Sequence, residues 1–286
     1  MNDFLKYSLL TVAIAMLSIE GDAQVQNVLD AAYVRETNLT KRVIPYPHLR
    51  EADVMYMRRV WQVMDLQQKI NHPYYFPTVP IKDRKNLFDV IRQGLLVEGS
   101  LVAYSTGAID DDEFQIPLLP DSVFNLLNII TIEDEYADDG LTVIGTQKVV
   151  TPIKSEDITR YMLKEDWIWD RQRSERYVRI IGIAPMMEKF DENSGNSLGY
   201  TPLFWLYYPE CRYVFANADV FNLFNDAQRR TYEDLFQKRY FASYIIKESN
   251  VYDRTILSYA KGRDGLAESE RIKEELFLLE HDLWHY

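Results

Sequence analysis

The sequence predicts an α+β fold, with antiparallel strands centred on 177–216 packed with amphipathic helices. Three observations carry that expectation. Tyr177 to Met187 is a β-branched, apolar run, and Pro202 to Ala216 is a second run, rich in aromatic residues. Between them, Asp191 to Gly199 is crowded with Asp, Asn, Ser and Gly, so the two runs read as an antiparallel pair around a polar connector. Elsewhere apolar residues recur at three- and four-residue spacings, the signature of helices with one buried stripe.

In chain order, residues 1–23 read as a signal peptide. Lys6 precedes the apolar run Tyr7–Ile19, and Gly21-Asp22-Ala23 places small residues where a signal peptidase cuts, before Gln24. The residue directly after that point is Gln24 and not a cysteine, which argues against a bacterial lipid anchor. Residues 24–50, with Pro45 and Pro47, read as an extended arm that lies on a neighbour or on its own surface. Glu51 to Asn71 reads as the clearest helix, with Val54, Met57, Trp61, Met64 and Ile70 on its stripe. His72 to Pro80 follows as a loop that its prolines keep out of helix. Lys85 to Glu98 is a second helix with Leu87, Val90, Ile91 and Leu95 inward, ended by Gly99.

Leu101–Tyr104 reads as a strand, Asp110 to Glu113 as a solvated acidic run, and Asp121–Asn128 as a short helix capped by Asp121. Ile129–Ile132, Leu141–Ile144 and the stretch around Val149, Val150 and Ile153 read as three strands, the first two separated by an acidic loop. Ser155 is expected to open a helix running through Leu163. Beyond the central pair, Asn222–Tyr240 reads as a helix with its main cap at Asp226, Leu235 and Phe236 inward, and Glu233 and Asp234 outward. Ala242–Ile246 is a short strand. After a break at Gly262–Gly265, Leu266 to Trp284 is a terminal helix with Ile272, Leu276, Leu279 and Leu283 on one face. The expected organisation is therefore signal peptide 1–23, arm 24–50, a single α+β domain 51–262 and a C-terminal helix 263–286.

The net charge of −12, with no basic stripe, argues against nucleic acid as a partner. Cys211 is the one cysteine, so no internal disulfide forms, and its aromatic surroundings predict a buried thiol. No stretch reaches about 18 unbroken apolar residues, so no transmembrane segment is expected and the mature chain reads as exported and soluble. The sequence carries no GxGxxG, P-loop, GxSxG or HExxH motif. His281 and His285 stand four apart, a spacing that can bind zinc or nickel, but at a fraying helix end their charge suits the helix dipole better. No catalytic, cofactor-binding or metal residues are expected. On residues alone, three classes stay open: a structural interaction protein, an exported metal-dependent hydrolase using His281 and His285 or the acidic loops, and a periplasmic ligand-binding module lined by aromatics.

Asp53 to Pro77, DVMYMRRVWQVMDLQQKINHPYYFP, resembles the signature region of the gliding-motility GldN family, whose non-gliding counterpart is PorN. The stretches WIWD, RIIGIAPMMEKFD, PLFWLYYPECR and RTYEDLFQKRYFASYIIKESNVYDR resemble the same family, in order and over most of the chain. The resemblance implies a non-enzymatic periplasmic component of the type IX secretion system of Bacteroidota. It implies self-association in a ring with a GldK/PorK-like lipoprotein at the inner face of the outer membrane. It also implies contact with a GldM/PorM-like motor protein, and a part in secretion and gliding. It carries no catalytic residues to this chain. The polar connector, the arm and the terminal helix are the expected contact elements, with removal of 262–286 expected to leave a folded chain that does not assemble.

Overall fold

The computed structural model describes residues 41–282 except 82–83, 108–111, 137–142, 191–194, 223–224 and 226, without side chains at 132–136, 143–147 and 280. The predicted signal peptide and cleavage site, the arm before residue 41, Asp226 and His285 lie outside the described residues.

The first element, β1 (Val54–Asp65), is a strand and not the predicted helix. Val60 to Met64 are all buried, because the strand is covered on both faces, and a strand buried on both sides shows no period-two alternation. Its apolar residues then fall by chance at helical spacings. A short helix, α1 (His72–Tyr75), follows; Pro73 is tolerated because it sits in the first turn, where its missing N–H has no intrahelical partner. This corrects the expectation that the prolines exclude helix here. Helix α2 (Leu87–Leu96) forms as predicted: Asn86 Oδ1 accepts the Asp89 N–H at 2.7 Å as its cap, and Leu87, Val90, Ile91 and Leu95 are buried.

Strand β2 (Ala103–Tyr104) and helix α3 (Pro120–Leu127) come next. Leu119, not Asp121, occupies the cap of α3, and Pro120 opens the helix. Strands β3 (Asn128–Tyr136) and β4 (Val143–Pro152) form one antiparallel hairpin. The separately predicted strands at 141–144 and 149–153 are thus a single strand. Ser155–Asp157 forms only a 3-10 turn, and the predicted helix after it is strand β5 (Ile158–Asp170). Eight consecutive residues of β5, Leu163 to Asp170, are buried.

The central pair is partly as predicted. Strand β6 (Glu175–Phe190) turns into β7 (Ser197–Pro202), so part of the expected connector is extended. The second run then splits into β8 (Trp205–Tyr207) and helix α4 (Tyr208–Asn217), correcting the expectation of strand to Ala216. The buried Tyr208, Cys211, Arg212 and Phe215 stand at i, i+3, i+4 and i+7, one helical face, and Pro209 opens the helix. Strands β9 (Asp219–Val220) and β10 (Arg230–Thr231) pair with each other. Among the described residues of the span predicted as helix from Asn222 to Tyr240, only α5 (Tyr232–Gln237) is helical. Strand β11 (Tyr244–Glu248) and helix α6 (Arg263–Asp282) complete the chain as predicted.

Seven strands form one antiparallel sheet ordered β11-β1-β5-β6-β8-β2, with β7 on the far half of β6. The fold is α+β. One face of the sheet carries the main core: Met64, Tyr161, Leu163, Ile180 and Ile183 pack under buried residues of α2, α4 and α5. Further along the same face, Val60, Trp167, Trp169 and Ile245 pack against Ile272 and Leu276 of α6. The opposite face carries Trp61, Ala184 and Trp205, with Tyr104 and Phe114 against them.

Candidate interaction surfaces

The middle of β5 reads Lys164-Glu165-Asp166, three charges in the centre of a sheet, each under a tenth exposed. Alternation sends Glu165 to the face shared by the main core and α6, and Lys164 and Asp166 to the other. Glu165 accepts Arg239 Nη1 and Nη2 at 2.9 and 3.1 Å, Gln62 Nε2 at 2.9 Å and Trp167 Nε1 at 3.0 Å. Asp166 accepts Arg59 Nε and Nη2 at 2.6 and 2.9 Å. Lys164 Nζ donates to the Asp112 carbonyl at 2.7 Å and lies 3.2 Å from its carboxylate. Burial pushes the Lys164 ammonium below its ordinary value, with Asp112 opposing the shift. Each charge is answered within the chain, an arrangement that fixes strand position and not one that leaves a reactive group facing a ligand. Sequence reasoning missed it, because a K-E-D run in a candidate helix looks like a solvated face.

Of the acidic run, Asp110 and Asp111 lie outside the described residues, and Asp112 is not simply solvated, for it also accepts a short hydrogen bond from Trp61 Nε1. Glu233, expected outward, is buried; it accepts Arg212 Nε at 2.8 Å and Tyr208 Oη at 3.1 Å, and Arg212 Nη2 lies 2.7 Å from the same carboxylate. Arg212 also holds the arm. Its Nη2 donates to the Ile44 carbonyl at 2.7 Å and its guanidinium lies 4.0 Å over Tyr46. Arg179 Nη2 donates to the Pro47 carbonyl at 2.6 Å, and Lys41 Nζ reaches Asp234 at 2.5 Å. Over 41–50, then, the arm is clamped to its own chain. Cys211 is buried in α4, and burial pushes its thiol well above the ordinary value, which keeps it from forming thiolate. His281 is exposed on the last turn of α6, 3.6 Å from Asp282. Among the described residues, no three His, Cys, Asp or Glu side chains converge as a metal set, and no helix is long and apolar enough to cross a membrane.

Three surfaces offer contact chemistry. Strands β3 and β4 pair only with each other among the described residues, and a two-stranded ribbon is marginal alone in water. Exposed Ile129 and Val150 lie on this hairpin, and exposed Phe124 on the helix that leads into it. The turn between β6 and β7 is flanked by exposed Phe190 and Leu198. An open groove of about 420 Å³ runs between α6 and the sheet, lined by Trp167, Arg176, Glu270, Lys273, Glu274 and Phe277. Arg176 stacks over Trp167 at 5.0 Å there. Exposed apolar side chains on unpaired edges suit protein contacts.

Comparison with known families finds one described as gliding motility associated protein GldN, whose family model matches residues 49–285. No match was found among curated proteins.

Proposed function

Because the chain belongs to the GldN family of gliding-motility proteins, related to type IX secretion, we propose that it is a non-enzymatic periplasmic ring subunit of that secretion machinery. In this reading it assembles with a partner lipoprotein at the inner face of the outer membrane and contacts the trans-envelope motor. The observation that carries the reading is the extent of the family match: residues 49–285 include every strand of the seven-stranded sheet and the six α-helices found among the described residues.

The surface chemistry supports it. A protein that works by assembly needs repeated contacts, and this chain offers a hairpin whose edges are unpaired among the described residues, exposed apolar side chains and a net negative charge. Net negative charge steers the approach of a more basic partner. The test is affinity purification of the tagged chain from its native envelope, with mass spectrometry and negative-stain imaging. Rings containing a lipoprotein are expected. A monodisperse chain with no partner would discount the reading.

A further inference from the structure

We propose that the sheet face carrying Trp61, Lys164 and Gly182 is a binding slot for an acid-x-aromatic segment. In this chain the slot is filled by Asp112–Phe114, and the occupant it exchanges for is the same segment of a second copy.

The slot is built by strand register. Across five strands the paired positions run Lys247, Trp61, Lys164, Gly182 and Tyr207. Lys247 Nζ lies 4.6 Å over the Trp61 ring, and Lys164 Nζ lies 5.9 Å from it. Gly182 leaves the gap: a Cβ there would stand 2.6 Å from Phe114 Cζ and 3.1 Å from Trp205 Cε3. Phe114 fills it edge-on to Tyr104, Trp205 and Tyr207, with ring centroids 5.6, 6.2 and 5.7 Å away. Two residues earlier, the Asp112 carboxylate meets Trp61 Nε1 and Lys164 Nζ. The hydrogen bond that Arg59 donates to Asp166 leads the rise in its pKa, and Asp112 and Glu113 add to it electrostatically. The slot thus reads a carboxylate at one position and a flat ring two positions on, and its cations stand out on a chain of net charge −12.

The occupant is attached as a ligand is. Phe114 has φ of +57°, a left-handed conformation that costs a non-glycine residue energy and is held by the ring's seat. Among the described residues, backbone pairing of this segment to β2 begins only at Ile116, with Ser105 N–H to the Ile116 carbonyl and Leu118 N–H to the Ala103 carbonyl. Asp112 and Phe114 are therefore held by side chains of the slot, which take the Asp112 carboxylate, the Phe114 ring and the Asp112 carbonyl, the last accepting Lys164 Nζ at 2.7 Å. An emptied slot leaves the buried Lys164 and the Trp61 N–H without their acceptor, which is costly. The segment leaves only as a like segment arrives. A second copy supplies one, and exchange between copies conserves every contact, the condition under which segment swapping has little cost.

The first test uses a fluorescent peptide of residues 110–118 and the full-length chain carrying Asp112→Asn and Phe114→Ala. Binding to this variant is expected to be at least about tenfold tighter than to the unaltered chain, whose slot is filled. It is also expected to be at least about tenfold tighter than binding of peptides with Asp112→Asn or Phe114→Ala. A folded variant that binds nothing, or binds all three peptides alike, overturns the slot. If the double variant unfolds, Phe114→Ala alone is used with the same criteria. The second test mixes two chains in a Cys211→Ser background, one with Phe114→Cys and one with Tyr207→Cys, and adds a short bis-maleimide. A cross-linked heterodimer is expected, with the double-cysteine chain as the internal geometry control. Internal cross-links with no heterodimer at assembly concentrations overturn the exchange between copies. Neither readout involves the lipoprotein, so failure of the ring reading leaves this proposal standing, and the reverse.

Discussion

Glu165 has no exposed surface and accepts four hydrogen bonds, two of them from one guanidinium. It separates the main core from the tryptophan cluster under α6. Removing an acceptor of this kind strands the donors that faced it, so Glu165→Leu should lower unfolding free energy by about 3 kcal/mol, somewhat softened because Arg239 can turn toward water. Urea unfolding reads this directly; a loss below about 1 kcal/mol would mean the network is not structural. Gly182 makes the opposite kind of demand. Gly182→Ala forces a methyl against Phe114 and Trp205 and should cost about 1–3 kcal/mol. Combined with Phe114→Ala the loss should be less than additive, because the ring that clashes is gone. Strict additivity in that cycle would show that Trp205, not Phe114, meets the methyl.

At the scale of elements, α5 is short and its stability rests on its start. Thr231 Oγ1 accepts the Asp234 N–H at 3.3 Å, and Asp234 Oδ2 accepts the Thr231 N–H at 3.0 Å, a reciprocal box. Lys41 Nζ joins it from the arm at 2.5 Å. Burial would raise the Asp234 pKa, but the bonds from Lys41 and Thr231 outweigh it and hold the carboxyl below its usual value. A depressed folded pKa stabilises above the unfolded value and is lost as pH falls through the folded one. Thr231→Ala should cost about 1 kcal/mol at neutral pH, seen as a lower midpoint in denaturant. No change there would show that Lys41 alone holds the turn. Helix α6 changes the expectation for truncation. Ile272 and Leu276 are buried against Trp167 and Trp169, and Ser269 Oγ accepts the Ile245 N–H at 2.8 Å. Deleting 262–286 bares that cluster and costs stability, so assembly is better probed with Phe277→Ser and Leu278→Ser, two exposed positions on the same helix. Those changes should leave the midpoint unaltered while weakening co-purification if the helix is a contact surface.

For the molecule as a whole, four tyrosines set the alkaline limit. Burial raises the pKa of Tyr74, Tyr161, Tyr208 and Tyr232 above the ordinary phenol value. With the folded pKa raised, the unfolded chain releases these protons first, so stability is full below about pH 10 and falls above it. Each contributes a slope of about 1.4 kcal/mol per pH unit once the unfolded phenol ionises. Lys164, whose ammonium burial pushes below its ordinary value, acts in the opposite sense, but adds no slope once pH passes the ordinary lysine pKa. Melting temperature measured from pH 9 to 11.5 should drop steeply; a flat profile would mean water reaches these phenols. The same burial explains how far the sequence went. It was sufficient for the α+β class, the extended run of β6, helices α2 and α6 and the burial of Cys211, because each is written in local pattern or composition. It also carried the family, through ordered stretches across the chain. It did not determine that 54–65 and 158–170 are strands. Both are covered on two faces, so their periodicity carries no strand signal, and only the pairing of β5 with β1 on one side and β6 on the other makes extended backbone the state that satisfies the hydrogen bonds. The surfaces were hidden for a related reason: whether Lys164, Asp112 or Glu233 faces water or a partner depends on which distant segment folds over it, and that is decided by tertiary structure alone.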